Sequence, residues 1–177
     1  MRLSLRTALI FIPVISALFI TLAAPLNRST GGDSFGSLLT SDSIIRNGSI
    51  KLDSYPKETL GELDYRATQK NGHTYNYFPL GTPIVSIPFV YLLNKTSIGI
   101  NREDNTYNDE REQIAIASIA NAVTVFAMMR TALLFLSPGI SALLTIFFWM
   151  GTSLSSTNAT ALWSHDFACA FASLAIY

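Results

Sequence analysis

Residues Gln113–Ser164 read QIAIASIANAVTVFAMMRTALLFLSPGISALLTIFFWMGTSLSSTNATALWS and carry a single charge, Arg130. Gln113–Met129 is uncharged for 17 residues and Thr131–Ser164 for 34. A helix rising about 1.5 Å per residue needs about 20 apolar residues to cover the roughly 30 Å hydrocarbon core of a bilayer. The first stretch therefore has about the length of one span, and the second is too long for one. Ser137-Pro138-Gly139 is the natural break between helices. This punctuation predicts a span over about Gln113–Leu136, another over about Ile140–Ser155, a polar turn in Gly151–Thr160 and a further span starting near Ala161.

Working outward, Thr7–Asn27 is a third uncharged run, of 21 residues, and predicts a first transmembrane helix within 1–27. Arg2 and Arg6 before the apolar Ala8–Leu22 also fit the n-region and h-region of a cleaved signal peptide, and that alternative stays open. At the other end, Ala161–Tyr177 gives 17 residues, the lower limit for a crossing, with no closing polar flank. It reads as a truncated last span, and the chain as an N-terminal fragment or truncated product of a larger polytopic protein. The expected architecture is all-α: about four transmembrane helices in 1–27 and 113–177, with an extracytoplasmic loop over 28–112.

Charge follows the same division. The 177 residues carry 12 Lys+Arg and 12 Asp+Glu, a formal net charge of zero, and only 14% are charged, against about a quarter in a typical soluble domain. All but Arg2, Arg6, Arg130 and Asp166 fall between Arg28 and Glu112. This excludes a uniform basic surface for nucleic acid and a charged, disordered chain. A single cysteine, Cys169, excludes an internal disulfide framework and a cysteine-cluster metal site. By the positive-inside rule Arg2 and Arg6 place the N-terminus in the cytoplasm, and Arg130 returns to that side after two crossings.

Within the loop, Ser34–Arg46 (SFGSLLTSDSIIR) puts Phe35, Leu38, Leu39 and Ile45 on one helical face, which predicts an amphipathic helix lying on the bilayer surface and stopped by Asn47-Gly48. Asp64–Gln69 and His73–Phe78 flank Lys70-Asn71-Gly72, a β-hairpin signal. Phe78–Leu93 is apolar but broken by Pro79, Pro83 and Pro88, and reads as a second interfacial helix rather than a span. Lys95–Glu112 is a hydrophilic connector. Asn27, Asn47, Asn94 and Asn158 head Asn-x-Ser/Thr sequons, which arise readily by chance.

Three segments carry a resemblance: Gly32-Asp33-Ser34 leading into Ile44–Gly48 and Leu52-Asp53; Asn71-Gly72-His73 followed by Tyr77–Gly81; and Ala161–His165. In this order, after an N-terminal span and among surface helices, they resemble the N-terminal part of the C-type (GT-C) integral-membrane glycosyltransferases, the superfamily of protein O-mannosyltransferases and lipid A aminoarabinose transferases. The resemblance covers nearly the whole chain. It implies hexosyl or pentosyl transfer from a polyprenyl-phosphate-linked donor to an extracytoplasmic acceptor in a bacterial inner (plasma) membrane. It also implies that Asp33 is the general base, and a fragment of this length would be inactive alone. Many relatives have Asp-Glu where this chain has Asp33-Ser34, so a divalent metal is an open question and no cofactor is assigned.

Each residue also has a plainer role. Asp33 is suited to capping the helix it precedes. His165 and Asp166 form an ionisable pair at the rim of a span, a substrate-binding candidate by default, or else a solvated pair beside the interfacial anchor Trp163. His73 and Tyr77 face substrate or serve the hairpin and the membrane surface, as does Tyr75. Arg130 reads as a topology marker. The alternative in a different class is a small non-catalytic membrane protein acting as an assembly or export partner. A transporter fragment is the weaker third reading.

Overall fold

Proline and glycine cut the apolar run after Arg130 into pieces shorter than a bilayer is thick. A computed structural model describes residues 5–23, 36–96, 110–156 and 162–177. The helices are α1 (Leu5–Ala23), α2 (Ser37–Asn47), α3 (Lys57–Glu62), α4 (Gly81–Leu93), α5 (Glu110–Ala132), α6 (Pro138–Gly151), α7 (Ser153–Ser156) and α8 (Ser164–Ile176). Between α3 and α4, strands β1 (Ala67–Lys70) and β2 (His73–Asn76) form an antiparallel hairpin. The chain divides into two compact units, Asn27–Ile116 and the paired segments Met1–Leu26 and Ala117–Tyr177.

The expected four-span architecture is overturned. Among the described residues one helix, Arg111–Ala132 within α5, is long and apolar enough to cross a membrane. The 34 uncharged residues after Arg130 do not make two spans. Leu133–Ser137 unwinds after α5, Pro138 starts α6 in its first turn, and Thr152 leaves the helix in an extended conformation. The 14 residues of α6 reach roughly 21 Å at the helical rise, well short of the hydrocarbon core. The expected last span yields the 13-residue α8. The apolar part of α1 runs over Ala8–Ala23, again shorter than a span, with Pro13 inside the helix.

In the unit of Met1–Leu26 and Ala117–Tyr177, Ala17 of α1, Val125 of α5, Trp149 of α6 and Leu154 of α7 form a buried cluster, with Val14, Met128 and Cys169 packed against it. Buried hydroxyls on these helices are satisfied one turn back: Thr21 Oγ1 donates to the Ala17 carbonyl at 2.8 Å and Thr124 Oγ1 to the Ala120 carbonyl at 2.9 Å. Arg130, read above as a topology marker, donates from Nε and Nη2 to the Tyr177 hydroxyl at 3.2 and 2.7 Å.

The unit of Asn27–Ile116 is organised around α2, and here the expectation of a helix lying on the bilayer surface is also overturned. Ser37 through Ser43 are all buried, so this stretch is enclosed on every side rather than half-wetted. Leu39 packs with Leu52 and Leu63, with Tyr55, Leu60 and Ala67 around them. Each such fully buried leucine contributes about 1.5–3 kcal/mol. Gly36 precedes α2 with φ 93°, a left-handed conformation glycine adopts without strain, and a Cβ there would stand 2.9 Å from Leu63 Cδ2. On another side α2 meets α4, whose Thr82, Pro83, Ser86 and Val90 are buried while Ile84, Tyr91 and Leu92 are exposed. Ser41 Oγ donates to the Pro83 carbonyl at 2.7 Å.

Enclosing α2 also encloses Asp42, which has no solvent exposure. The helix tolerates it because three donors converge on the carboxylate: Arg46 Nε at 3.1 Å, the Tyr55 hydroxyl at 2.6 Å and Asn94 Nδ2 at 3.0 Å. They come from the last turn of α2, the segment after it and the C-terminal end of α4. Burial, then the bond to Asp42, push the Tyr55 phenol above the ordinary tyrosine range. Tyr55→Phe should lower the denaturant-derived stability of the protein by about 1.5–3 kcal/mol, the worth of a hydrogen bond to a charged group. An unchanged midpoint and slope would show that the carboxylate does not depend on this donor.

Candidate functional site

Asn71 and Gly72 both take positive φ, 54° and 76°, the geometry a two-residue hairpin turn requires and the reason an Asn-Gly pair nucleates one. The resulting register sets Ala67 opposite Asn76, Thr68 opposite Tyr75, Gln69 opposite Thr74 and Lys70 opposite His73. On its free side β2 is joined by the segment after α2. Lys51 pairs with Tyr75 in an isolated antiparallel bridge, and the Leu52 amide donates to the Thr74 carbonyl at 2.9 Å.

Side chains alternate across these three chains. Leu52 and Ala67 turn to the leucine cluster. Lys51, Asp53, His73, Tyr75, Thr68 and Lys70 share the opposite, solvent-facing side. There the Asp53 carboxylate binds both atoms that β2 offers it: Oδ1 accepts from the Thr74 amide at 2.7 Å, and Oδ2 lies 2.6 Å from His73 Nδ1. The other ring nitrogen, Nε2, is 3.0 Å from Lys51 Nζ. An ammonium only donates, so Nε2 is the acceptor, and Nδ1 carries the proton that is donated to Asp53. Lysine, imidazole and carboxylate thus form one hydrogen-bonded row across three chains. The Tyr75 ring stands edge-on to the imidazole, 6.5 Å between centroids.

The Thr74 amide, then the His73 bond, hold the Asp53 carboxyl below its ordinary value of 3.8. Its folded pKa is depressed, so its contribution to stability is present above that ordinary value and is lost as pH falls through the lower folded value. In an acid titration the Thr74 amide resonance should therefore move with a midpoint below 3.8, and Asp53→Asn should abolish that transition. A midpoint at or above the ordinary value would break the assigned row.

Of the residues singled out from sequence, His73 lies in this row. Tyr77 lies just past the end of β2, 67% exposed, its ring edge-on to Phe78 at 5.7 Å. Asp33 lies outside the described residues. His165 and Asp166, expected to act as a pair, part company at the start of α8. His165 is exposed and stacks on the Trp163 indole at 6.1 Å. Asp166 is buried, and its Oδ2 accepts from the Trp163 amide at 2.8 Å as a reciprocal cap of α8. Burial pushes the Asp166 carboxyl up to about 8. A raised acid loses stability as pH climbs from the unfolded value, 3.8, toward the folded one. Asp166→Asn should therefore raise Tm at about pH 8 and flatten its decline above about pH 4; a parallel decline in both proteins would refute a buried, protonated Asp166.

Lys51 and Asp53 were not assigned a role from sequence. The signal was the alternation Lys51-Leu52-Asp53, one apolar residue between two polar ones, too short to read as a strand until the hairpin beside it is in place. No cluster of three His, Cys, Asp or Glu side chains able to hold a metal ion occurs among the described residues. The chain matches no protein-family model, no curated protein and no solved structure.

Proposed function

We propose that the chain is part of a membrane glycosyltransferase that moves a sugar from a polyprenyl-phosphate-linked donor to an acceptor outside the cytoplasm. The observation that carries this reading is a convergence. Two of the three segments bearing the GT-C resemblance, one ending in Asp53 and one beginning at Asn71, are far apart in sequence and meet in the 2.6 Å bond between Asp53 and His73. An oriented imidazole beside a lysine is equipment for recognising and acting on a polar, charged substrate.

A bilayer setting has its own support. Helix α5 has the length and apolarity of a span. On α6 the buried side is Ser141, Ala142, Thr145 and Trp149, while Leu143, Leu144, Phe147, Phe148 and Met150 are exposed. Apolar surface on that scale marks contact with lipid or another protein. A bacterial inner membrane with a cytoplasmic N-terminus fits Arg2 and Arg6.

By the resemblance, Asp33 takes the acceptor's proton as the new glycosidic bond forms, and the polyprenyl phosphate leaves. In membranes containing the protein in its complete gene context, labelled sugar should pass from a polyprenyl-phosphate donor to an endogenous acceptor. Asp33→Asn should slow this about 10²–10⁴-fold, the usual worth of a positioned base. Unchanged turnover in that variant removes Asp33 as the base, and no transfer from any such donor favours the non-catalytic partner instead.

A further inference from the structure

We infer that the solvent-facing side of β1, β2 and the Lys51–Asp53 segment is a phosphate-binding site, in which Lys51 and Lys70 grip a phosphomonoester or diphosphate group and the His73 imidazole, bonded to Lys51, holds that lysine in place. The inference rests on the transferase reading only for the identity of the molecule that carries the phosphate.

The argument begins with charge. Besides Tyr75, four ionisable groups share this face: Lys51 and Asp53 on the segment after α2, Lys70 on β1 and His73 on β2. The one anion among them is already engaged, since both Asp53 oxygens accept hydrogen bonds from β2. Asp53 therefore anchors the imidazole, and two lysines against one carboxylate leave the face a net positive charge. Lys70 makes no ion pair among the described residues. Lys51 gives one N–H to His73 Nε2, and an ammonium has three to give.

Geometry brings these groups within reach of one ligand. Lys70 and His73 are directly opposed in the register, which places their Cβ atoms about 4.5–5.5 Å apart. Lys51 Nζ touches the far side of the same imidazole at 3.0 Å. The imidazole thus lies between the Lys51 ammonium and the register position of Lys70, which belong to two different backbone segments. A planar carboxylate has two oxygens to offer such a row. A terminal phosphate has three acceptor oxygens and up to two negative charges, enough for both lysines at once, and lysine binds it as a point charge without a fork geometry.

The test uses the whole chain in detergent micelles, with inorganic phosphate and pyrophosphate as probes. The chain contains two histidines, so imidazole 15N resonances report His73 directly, with His165 as an internal reference. The expected result is a saturable shift of the His73 signals with no matching shift at His165. Lys51→Ala and Lys70→Ala should each weaken binding about tenfold, the effect of losing one charge-assisted contact. Lys51→Arg should retain binding, and Lys57→Ala, on the exposed face of α3, should leave it unchanged. The Asn71 and Gly72 amide signals verify that each variant keeps the hairpin.

A second arm uses lipid vesicles with and without phosphatidic acid. A His73 shift only with phosphatidic acid assigns the phosphate to a lipid headgroup, and a shift with free phosphate as well assigns it to any phosphomonoester. No shift with either, equal shifts at both histidines, or undiminished binding in both alanine variants overturns the site. Phosphate binding without sugar transfer would leave this site standing and remove the transferase; transfer without phosphate binding would do the reverse.

Discussion

A carboxylate shut away from water must receive its hydrogen bonds from the protein, and that requirement at Asp42 shapes the unit spanning Asn27–Ile116. Its donors are Arg46, Tyr55 and Asn94. They cannot reach it unless the chain turns back after α2 and α4 lies alongside. Losing any one leaves part of a charge buried without compensation, which is far costlier than losing a surface contact. The polar bonds therefore select one packing of α2 and α4, while Leu39, Leu52 and Leu63 supply the hydrophobic stabilisation.

That packing is transmitted to the hairpin by short steps. Ser43 Oγ donates to the Lys51 carbonyl at 2.6 Å, tying α2 to the segment that follows. The next residue, Leu52, has its side chain in the core and its amide on β2, so Lys51 and Asp53 are forced to the other side. The row of lysine, imidazole and carboxylate is thus the outer surface of the same alternation that builds the core. Backbone pairing places these groups and the bonds among Lys51, His73 and Asp53 fix their side chains, the condition under which exposed side chains keep a defined geometry.

Local signals are legible in the sequence and global ones less so. Asn71-Gly72 identified the hairpin because its turn demands two left-handed residues, a requirement internal to four positions. The long apolar run after Arg130 misleads, because counting uncharged residues cannot say how far a helix continues past Pro138 or Gly151. For Ser34–Arg46 the helix was legible and its surroundings were not. A serine-rich face with one aspartate looks solvated until the partners of Asp42, as distant as Asn94, are known. The same holds for Asp53 and His73, whose pairing depends on a strand register that no local pattern encodes. At Asp166, composition marked an ionisable residue beside a helix start, and packing turned it inward as a cap.

The bond from Asn94 to Asp42 also bears on protein maturation. Asn94-Lys95-Thr96 and Asn47-Gly48-Ser49 are both acceptor sequences for N-linked glycan by spelling alone. In the folded chain the Asn94 side-chain nitrogen, the atom a glycan would occupy, is committed to the buried carboxylate. Asn47 instead donates to the exposed hydroxyl of Ser54 at 2.9 Å. In a cell that glycosylates such sequences, a sugar on Asn94 would therefore record a chain that met the modifying enzyme before α2 and α4 had come together. The sugar would then keep them apart.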